Sequence, residues 1–377
     1  MRILHLGKYY APERGGIESY TRALCEWTAA RGHSVAALVH QRPGVWHTTR
    51  EVIGSVEVRR VACLGDPVYT PLSPTYPFEL ARSLKEFRPE ILHLHLPNPS
   101  CFAVLASATA RRLPWLVHWH SDIPADAPDW RLRFGYRAYR PFEQALLKRA
   151  TAVVTTSQSY LDASAALASW RAKARVIPLG AEHVPQRTAR ADLWPSGDGL
   201  RLLAVGRLSH YKGFDVLIRA LARVDDARLL LIGDGECAEE LRAAAEKNGT
   251  SSRIRFAGTL DDETLLSAYA SADAFVLPSL NRGEAFGLVL LEAMRASLPV
   301  IASAIPGSGI GDVVVEGETG LLTAPGDADA LAAAIIRMRD QEWRRQLGAH
   351  GHQRWQDQFT LELSAQRWLQ LYVESQR

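Results

Sequence analysis

Length, composition and charge set the first limits on this protein. The chain has 377 residues, 47% of them hydrophobic and 23% charged, which favours a soluble globular protein of two domains. No uncharged run is long enough to span a membrane, so an integral membrane protein is not expected. The net charge is only +3, but residues 1–180 carry 23 Lys and Arg against 14 Asp and Glu, whereas the remainder carries 21 against 27.

The basic first half predicts attraction to an anionic partner such as a membrane surface, a phospholipid head group or nucleic acid. Nucleic acid is not expected, because the chain contains no zinc finger, RNP-type aromatic motif or basic zipper. The four cysteines show no CxxC or paired spacing, so neither a disulfide framework nor a zinc ribbon is expected. The first seven residues lack the apolar core of a signal peptide. We expect a cytoplasmic location, and the basic half allows peripheral contact with the inner face of the membrane.

The first 180 residues alternate short apolar runs with helical patterns. Residues 3–6 are predicted as a strand, residues 8–16 as a glycine-containing loop and residues 17–30 as a helix. Further apolar runs occupy residues 35–39, 56–61, 91–94, 115–119, 152–155 and 175–178. This alternation predicts a parallel sheet with helices on both faces and ligands at the carboxyl ends of its strands. The loop lacks the GxGxxG fingerprint, so bound NAD is not implied, and Gly15 and Gly16 fit either a tight turn or a ligand-binding loop.

Two strand ends carry pairs of histidines. His93 and His95 share one face of their strand, and His118 and His120 share one face of theirs. Four imidazoles suit zinc, but such pairs also hydrogen-bond neighbouring loops. Because neither a cysteine ligand nor an HExxH motif accompanies them, we expect no metal here.

Residues 130–149 mix basic and aromatic side chains. Two interpretations stay open for this segment. It fits a helix that lies on an anionic membrane surface, and it fits a core helix with a solvated basic face and its aromatics turned inward.

The second half begins after a segment rich in Gly, Pro and Ser. Residues 181–197 are predicted as an interdomain linker. A new strand, loop and helix follow, and the loop contains Arg207 and Lys212. The alternation then continues through residues 228–233, 254–258, 274–278 and 299–303. This pattern predicts a second α/β domain.

The stretch around Glu284 is the most informative of the chain. Residues 274–278 are predicted as a short buried strand, and a helix begins near Gly287. A helix start after a loop presents unpaired N–H groups and a positive dipole end, which suit a phosphate, and glycine lets that phosphate approach closely. The carboxylates of Glu284 and Glu292 can each accept hydrogen bonds from a vicinal diol. A phosphate, a ribose near Glu292 and a hexose near Glu284 together make a nucleotide sugar, and two solvated glutamates are the plainer alternative.

These motifs resemble those of the retaining glycosyltransferases of family 4. The stretch E-A-F-G-L-V-L-L-E-A-M, from Glu284, resembles the E-x7-E motif of the family. The G-R-x4-K-G motif from Gly206 to Gly213 and the G-L-L-T-A-P-G-D stretch of residues 320–327 resemble two further family segments, although Ser297 stands where the family usually has glycine.

The resemblance implies an α/β fold of the GT-B type, with two Rossmann-like doubly wound domains facing across a cleft. Residues 1–180 with the C-terminal helix 358–377 form the acceptor-side domain, because that helix crosses back in the family. Residues 198–357 form the nucleotide-sugar-binding domain, and residues 181–197 link the two. The implied fold agrees with the two alternating halves of the sequence.

The resemblance also assigns roles to individual residues. Glu292 holds the ribose, Glu284 the hexose hydroxyls, and Arg207 and Lys212 the diphosphate. His120, in L-V-H-W-H-S-D, stabilises the reacting face of the donor. The implied donor site also includes Gly15, Gly16, Leu260, Ala285, Phe286, Gly287 and Leu288. No cofactor and no metal is expected, because two fixed cations and a helix start can stabilise a leaving diphosphate.

The implied reaction moves a hexose from a nucleoside diphosphate sugar to an acceptor hydroxyl and keeps the anomeric configuration. The leaving phosphate itself takes the acceptor proton. The H-L-H-L-P-N-P stretch resembles bacterial mannosyl- and rhamnosyl-type members, which favours GDP-mannose over a UDP-sugar. The expected acceptor is a saccharide or a lipid-diphosphate-linked saccharide of polysaccharide or lipopolysaccharide assembly. Two alternatives are a GT-B-like sugar-nucleotide epimerase and a non-catalytic partner subunit.

Overall fold

The computed structural model describes residues 1–67, 70–123, 130–185 and 187–376, and only the backbone of residues 130–132. Its contacts divide the chain into two compact units, Met1–Gly180 with Leu361–Arg377, and Ala181–Thr360. Each unit is built on its own mainly parallel sheet. The predicted α/β fold with two Rossmann-like domains is therefore confirmed.

Eight strands form the sheet of the first unit. They are β1 (Arg2–Leu6), β2 (Ser34–His40), β3 (Thr49–Ile53), β4 (Val56–Val61), β5 (Ile91–Leu96), β6 (Trp115–Trp119), β7 (Ala152–Thr155) and β8 (Ala174–Val176). Their order is β3-β4-β2-β1-β5-β6-β7-β8, and β3 with β4 is the antiparallel pair of an otherwise parallel described sheet. The order reverses between β1 and β5, and open α/β sheets bind ligands beyond the strand ends at such a point.

Six parallel strands form the sheet of the second unit. They are β9 (Leu200–Val205), β10 (Ala227–Ile232), β11 (Ile254–Gly258), β12 (Ala274–Leu277), β13 (Val300–Ser303) and β14 (Gly320–Thr323). Their order is β11-β10-β9-β12-β13-β14, so the reversal falls between β9 and β12. The loops that follow these two strands carry Lys212 and Glu284.

The helices connect these strands. They are α1 (Gly16–Ala29), α2 (Tyr76–Phe87), α3 (Ala103–Ala106), α4 (Trp130–Arg149), α5 (Gln158–Ala163), α6 (Phe214–Leu221), α7 (Ala238–Lys247), α8 (Asp262–Ser271), α9 (Leu288–Arg295), α10 (Ile310–Val313), α11 (Ala328–Arg337), α12 (Gln341–Gln358) and α13 (Leu361–Glu374). Acidic caps begin several of them: Asp261, Asp327 and Asp340 each accept a backbone N–H of the first turn of α8, α11 and α12.

Near-continuous burial explains why the central strands are so apolar. Every residue of β6, β12 and β13 is buried, as expected of parallel strands covered on both faces. In the second unit Phe214, Leu217 and Leu221 of α6 pack into the same core as Leu202 of β9 and Val276 of β12. The buried strands hold the site-bearing loops at their carboxyl ends.

The C-terminal helix α13 packs on the first unit, which confirms the expected return of the chain. The hydroxyls of Ser364 and Tyr20 lie 2.7 Å apart, and Ser364 also donates to the carbonyl of Pro178 at 2.6 Å. The indole N–H of Trp27 donates to Glu362 at 2.5 Å. Trp368 is fully buried in this contact.

The segment predicted as a linker makes its own contacts with the second unit. Leu193 and Trp194 are buried, and the indole N–H of Trp194 donates to Ser271 at 3.1 Å. Arg295 donates to the carbonyl of Glu182 at 2.9 Å. Residue 186 of this segment lies outside the described residues.

Two further expectations bear on the environment of the protein. The four cysteines are all free and buried. Within the described ranges of the chain, no helix combines the length and the hydropathy needed to cross a membrane.

Candidate active site

Glycine at position 287 turns the chain from the loop after β12 into helix α9. Gly287 has a φ of 81°, in the left-handed region that favours glycine. A Cβ there would lie 2.8 Å from a methyl of Leu290 and 3.2 Å from one of Leu277. The helix begins at Leu288, next to the predicted start, and no side chain of the described residues caps it. No side chain among the described residues therefore occupies the N–H groups at the start of α9.

The central contact of the second unit is a buried ion pair. The ammonium of Lys212 lies 2.5 Å from Oε2 of Glu284, and each residue is only 8% exposed. Ser279 donates to the same carboxylate oxygen at 3.0 Å. Burial opposes the charged ammonium, but Glu284 and Tyr211 outweigh it, so the pKa of Lys212 lies above its usual value. The ammonium of Lys212 is therefore charged at neutral pH.

The loop after β9 brings Lys212 to this position. A 3-10 turn, His210–Lys212, ends at Gly213, whose φ of 64° again lies in the left-handed region. A Cβ on Gly213 would lie 2.2 Å from the carbonyl oxygen of Pro278, so only glycine permits this approach. The amide of Leu280 donates to the carbonyl of Tyr211 at 2.7 Å. Two loops separated by about seventy residues of chain are thus joined. Arg207, the other predicted cation, lies exposed at the end of β9.

Backbone contacts fix the loop that carries Glu284. The amide of Glu284 donates to the carbonyl of Asn281 at 3.0 Å, and the hydroxyl of Ser308 donates to the carbonyl of Glu284 at 2.5 Å. The amide of Gly309 donates to the carbonyl of Ala285 at 2.8 Å. Phe286 is buried, with its ring centroid 6.1 Å from that of Phe359. The Phe286 side chain therefore packs the loop.

Glu292 lies on the second turn of α9 and is half-buried. The hydroxyl of Tyr269, from α8, donates to its Oε2 at 2.8 Å. Burial raises the pKa of Glu292 above that of a free carboxyl group, and the bond from Tyr269 opposes this shift. Leu260, which the family resemblance places in the donor site, is half-buried in the short loop between β11 and α8. Tyr269, on helix α8, is thus a hydrogen-bond partner of Glu292.

In the first unit, the glycines at positions 15 and 16 lie at the start of a helix. Gly15 is the capping residue of α1 and Gly16 is its first residue. The carbonyl of Gly15 accepts from the amide of Ser19 at 2.9 Å, the first bond of the helix. Gly15 ends the loop that follows the central strand β1, and Gly16 begins the helix.

A cluster of five buried histidines lies in the same unit. The four predicted histidines, His93, His95, His118 and His120, are joined by His5 of β1, which the sequence analysis missed. Each is at most 6% exposed. Burial lowers the pKa of all five imidazoles, and neighbouring histidines lower it further at several of them. The cluster is therefore neutral at neutral pH.

The structure of α4 bears on the two interpretations of residues 130–149, a membrane-surface helix and a core helix with its aromatics turned inward. Phe134 is 69% exposed and Phe142 is 55% exposed, and Arg133, Arg137 and Arg140 are exposed as well. These two aromatics do not turn inward as a core helix would require. Trp130, which belongs to the same predicted segment, has a side chain outside the described residues.

Buried in the same helix lies a carboxyl group that the sequence did not single out. Glu143 is fully buried and accepts from the hydroxyl of Tyr136 at 3.2 Å, while its Oε1 has no hydrogen-bond partner among the described residues. Burial raises the pKa of Glu143 to about 7.

The chain contains two Rossmann-like sheets, and each carries its candidate residues at the reversal of strand order. This arrangement is that of the GT-B class of transferases. Two family models match. "Glycosyl transferase 4-like domain" matches residues 15–180, and "Glycosyl transferases group 1" matches residues 186–354.

Similar proteins agree with these two matches. The chain is 28% identical to the O-antigen chain mannosyltransferase C of Escherichia coli, with 99% of this chain and 98% of the relative covered. It is 29% identical to the D-rhamnosyltransferase WbpZ of Pseudomonas aeruginosa, with 96% and 92% covered. It is 30% identical to the glycogen synthase of Mycobacterium tuberculosis, with 100% and 95% covered.

Solved structures show the same architecture. The sucrose-phosphate synthase of Thermosynechococcus elongatus matches with a TM-score of 0.81 at 27% identity, covering 99% of this chain and 98% of that one. Anabaena HepE in complex with UDP-glucose matches in fold with a TM-score of 0.76 at 19% identity, covering 99% and 100%. The chain belongs to the group 1 glycosyltransferases of GT-B fold.

Proposed function

We propose that the chain is a retaining, metal-independent hexosyltransferase of family 4 type that uses a nucleoside diphosphate sugar. The observation that carries this proposal is the buried pair of Lys212 and Glu284, whose carboxylate stands in the loop that leads to the uncapped start of α9. A buried charge without a partner is costly, so each group holds the other until a ligand replaces it. A diphosphate at the helix start offers Lys212 a new anionic partner, and the hydroxyls of a hexose offer hydrogen-bond donors to Glu284.

The remaining residues of the proposed donor site follow the sequence motifs. Arg207 contacts the diphosphate with Lys212, and the two cations stabilise the charge that develops on the leaving group. Glu292 accepts hydrogen bonds from the ribose, oriented by Tyr269. His120 of the first unit acts at the reacting face of the sugar. The phosphate of the leaving group takes the proton of the acceptor hydroxyl.

The proposed donor is GDP-mannose or a related GDP-sugar. The support is the likeness to a mannosyltransferase and a rhamnosyltransferase, each matched over nearly the whole of both chains. The Anabaena protein that binds UDP-glucose shares the fold alone, and it makes a UDP-sugar the donor to test against. The chain then acts in the assembly of a cell-surface polysaccharide or of lipopolysaccharide.

The proposed acceptor is a saccharide or a lipid-diphosphate-linked saccharide at a membrane surface. Support comes from the exposed Phe134 and Phe142 of α4 among the exposed arginines 133, 137 and 140. Exposed aromatic rings enter the interface of a bilayer, and arginine side chains bind anionic head groups. We propose peripheral contact at the inner face of the cell membrane through this helix.

One experiment tests the reaction. The purified protein is incubated with GDP-mannose or UDP-glucose, with and without a lipid-linked saccharide acceptor, in buffer containing EDTA, and the products are separated by chromatography. We expect one of the two donors to release its nucleoside diphosphate only when the acceptor is present. We also expect NMR to show that the anomeric configuration of the product is the same as that of the donor. Release of an epimeric nucleotide sugar without acceptor would contradict the proposal, and so would an inverted product.

A second experiment tests the membrane contact. Co-sedimentation with vesicles of phosphatidylcholine and phosphatidylglycerol compares the wild type, Phe134→Ser/Phe142→Ser and the control Phe78→Ser. Phe78 is 76% exposed on α2 and is therefore a matched surface phenylalanine. We expect the double variant alone to lose binding. Equal binding by all three proteins would remove α4 from the interface.

A further inference from the structure

Strand register gathers the five histidines on one face of the first sheet. His5 of β1 is opposite His93 of β5, and His95 of β5 is opposite His118 of β6. Residues two apart on a strand share a face, so His95 and His120 continue the same surface. Burying a polar group without a hydrogen bond is costly. The hydrogen-bond partners of the histidine ring nitrogens therefore decide whether the cluster is stable in a core of parallel strands.

Three of them form a continuous line, which we call the imidazole chain. Nε2 of His120 lies 2.9 Å from Nδ1 of His95, and Nε2 of His95 lies 3.1 Å from Nδ1 of His5. The ring planes of His95 and His120 differ by 4°, and those of His5 and His95 by 29°. The hydrogen bonds therefore run edge to edge close to the ring planes, through both nitrogens of His95.

The geometry favours hydrogen bonds over a metal ion. Two triads, His5 with His93 and His95, and His95 with His118 and His120, have ligand atoms within 4.8 Å of one another. Zinc needs lone pairs that converge on one point. In the imidazole chain, however, neighbouring ring nitrogens face each other, so one lone pair in each contact is occupied by the N–H of the neighbour.

Because its three rings are neutral, all hydrogen bonds of the imidazole chain must point in the same direction along it. A neutral imidazole has one N–H and one lone pair, so the tautomer of any one ring fixes the tautomers of the other two. Nε2 of His5 is buried and has no hydrogen-bond partner among the described residues. Orphaned N–H groups are rarer in proteins than orphaned acceptors, which favours a lone pair on that nitrogen. His5 then donates from Nδ1 to His95, and His95 donates from Nδ1 to His120.

We propose that His95 and His5 are positioning residues that fix the tautomer of His120, so that its Nδ1–H is the free hydrogen-bond donor. That donor suits an oxygen of the sugar, of the diphosphate or of the acceptor. The proposal rests on the proposed function, because it gives a use in glycosyl transfer to a residue that acts at the reacting face. A fixed donor needs no reorganisation when charge develops on the oxygen it contacts.

NMR tests the tautomer directly and independently of activity. Long-range ¹H–¹⁵N correlations of protein carrying ¹⁵N-histidine identify the protonated ring nitrogen, and the His120 signals are assigned by their loss in His120→Ala. We expect an Nδ1–H on His120 in the wild type and a changed tautomer in His95→Leu. His95→Asn restores the wild-type pattern, because its amide N–H lies where Nδ1 of His95 donates.

The control variant is His93→Asn, since His93 is equally buried and bonds Tyr372 and His118 instead of the imidazole chain. It should leave the tautomer of His120 unchanged. A protonated Nε2 on wild-type His120, the same tautomer in His95→Leu, or one equivalent of zinc in the purified protein would each overturn the proposal.

Kinetics separate this proposal from the proposed function. We expect His95→Leu to lower kcat by at least about 10-fold with the KM for the donor nearly unchanged, and His95→Asn to recover most of the loss. A merely structural role would instead lower the melting temperature and leave the pH profile of kcat alone. NMR can confirm the tautomers while His120→Ala still transfers sugar at the wild-type rate. That combination would support the imidazole chain and contradict the role of His120 in the reaction.

Discussion

The two units bury polar groups in opposite ways. In the second unit the ammonium of Lys212 and the carboxylate of Glu284 lie 2.5 Å apart as a buried ion pair. In the first unit five imidazoles are buried without an acidic hydrogen-bond partner among the described residues, and burial keeps them neutral by lowering every pKa. A charged pair can exchange partners with an ionic ligand, whereas a neutral network can set the direction of a hydrogen bond. The contrast predicts different responses to acid and to substitution.

The largest expected effect is a loss of protein stability in acid, caused by the histidine cluster. The folded pKa of each of the five lies below the unfolded value of about 6.5, so their contribution is complete above that pH and is lost as pH falls. Below about pH 6.5 the unfolded chain takes up protons that the buried histidines do not, so the cluster should lose on the order of a few kcal/mol by pH 5.5. Urea unfolding at pH 7.5, 6.5 and 5.5 measures this loss.

His118→Asn should reduce the pH dependence by the contribution of one histidine, because four buried histidines remain. A free energy of unfolding that does not fall between pH 7.5 and 5.5 would show that the pKa values of the cluster are not lowered in the folded protein.

Removing the cation of the charged pair should have the largest effect on catalysis. Lys212→Ala removes the ammonium from the leaving diphosphate and leaves Glu284 buried without its partner. We expect kcat/KM to fall about 10²- to 10³-fold, roughly 3–4 kcal/mol. Lys247→Ala, at an exposed lysine of α7, is the control for charge alone. Normal transfer by a folded Lys212→Ala protein would remove this residue from the mechanism.

Glu143 should show the opposite pH dependence within the first unit. Its folded pKa of about 7 lies above the unfolded value of about 4.3, so its contribution to stability falls as pH rises between these values. Glu143→Gln stays neutral and should be more stable than the wild type by about 2 kcal/mol at pH 8, with no difference near pH 4. Urea unfolding at both values checks this, with the exposed Glu246→Gln as control. A destabilised Glu143→Gln at pH 8 would mean that the carboxylate is paired.

The smallest effect should come from the partner of Glu292. Tyr269→Phe removes one hydrogen bond to the carboxylate and keeps the ring. We expect nucleotide binding to weaken by about 1 kcal/mol, roughly 5-fold, while kcat is retained. Titration of the variant with GDP and UDP measures the change. A loss of kcat at unchanged affinity would place Tyr269 in the reaction itself.

Local patterns predicted the sheets and the site loops well. The strand and helix at Gly287 lie next to each other in the sequence, and their apolar pattern and glycine indicate the turn directly. The pairing of Lys212 with Glu284 could not be predicted in the same way. It depends on β9 and β12 being neighbours in the sheet, and on Gly213 permitting the approach to Pro278.

The histidine cluster shows the same limit. His93 and His95 were visible as a pair on one strand, but His5 stands alone in an apolar strand. Only the register of β1 with β5 places it beside them. Tyr269 was missed for a similar reason, because its bond to Glu292 joins two helices and leaves no spacing signal. Side-chain partners that come from distant strands or helices require the tertiary structure.

Titration of a nucleoside diphosphate into the wild type and Lys212→Ala tests the central claim most directly. In the proposed donor complex, a diphosphate binds at the start of α9 and takes Lys212 as its partner. Calorimetry with GDP and UDP should therefore show one site in the wild type for at least one nucleotide, weakened at least about 10-fold in Lys212→Ala. The absence of binding by either nucleotide, or equal affinity in both proteins, would contradict the account.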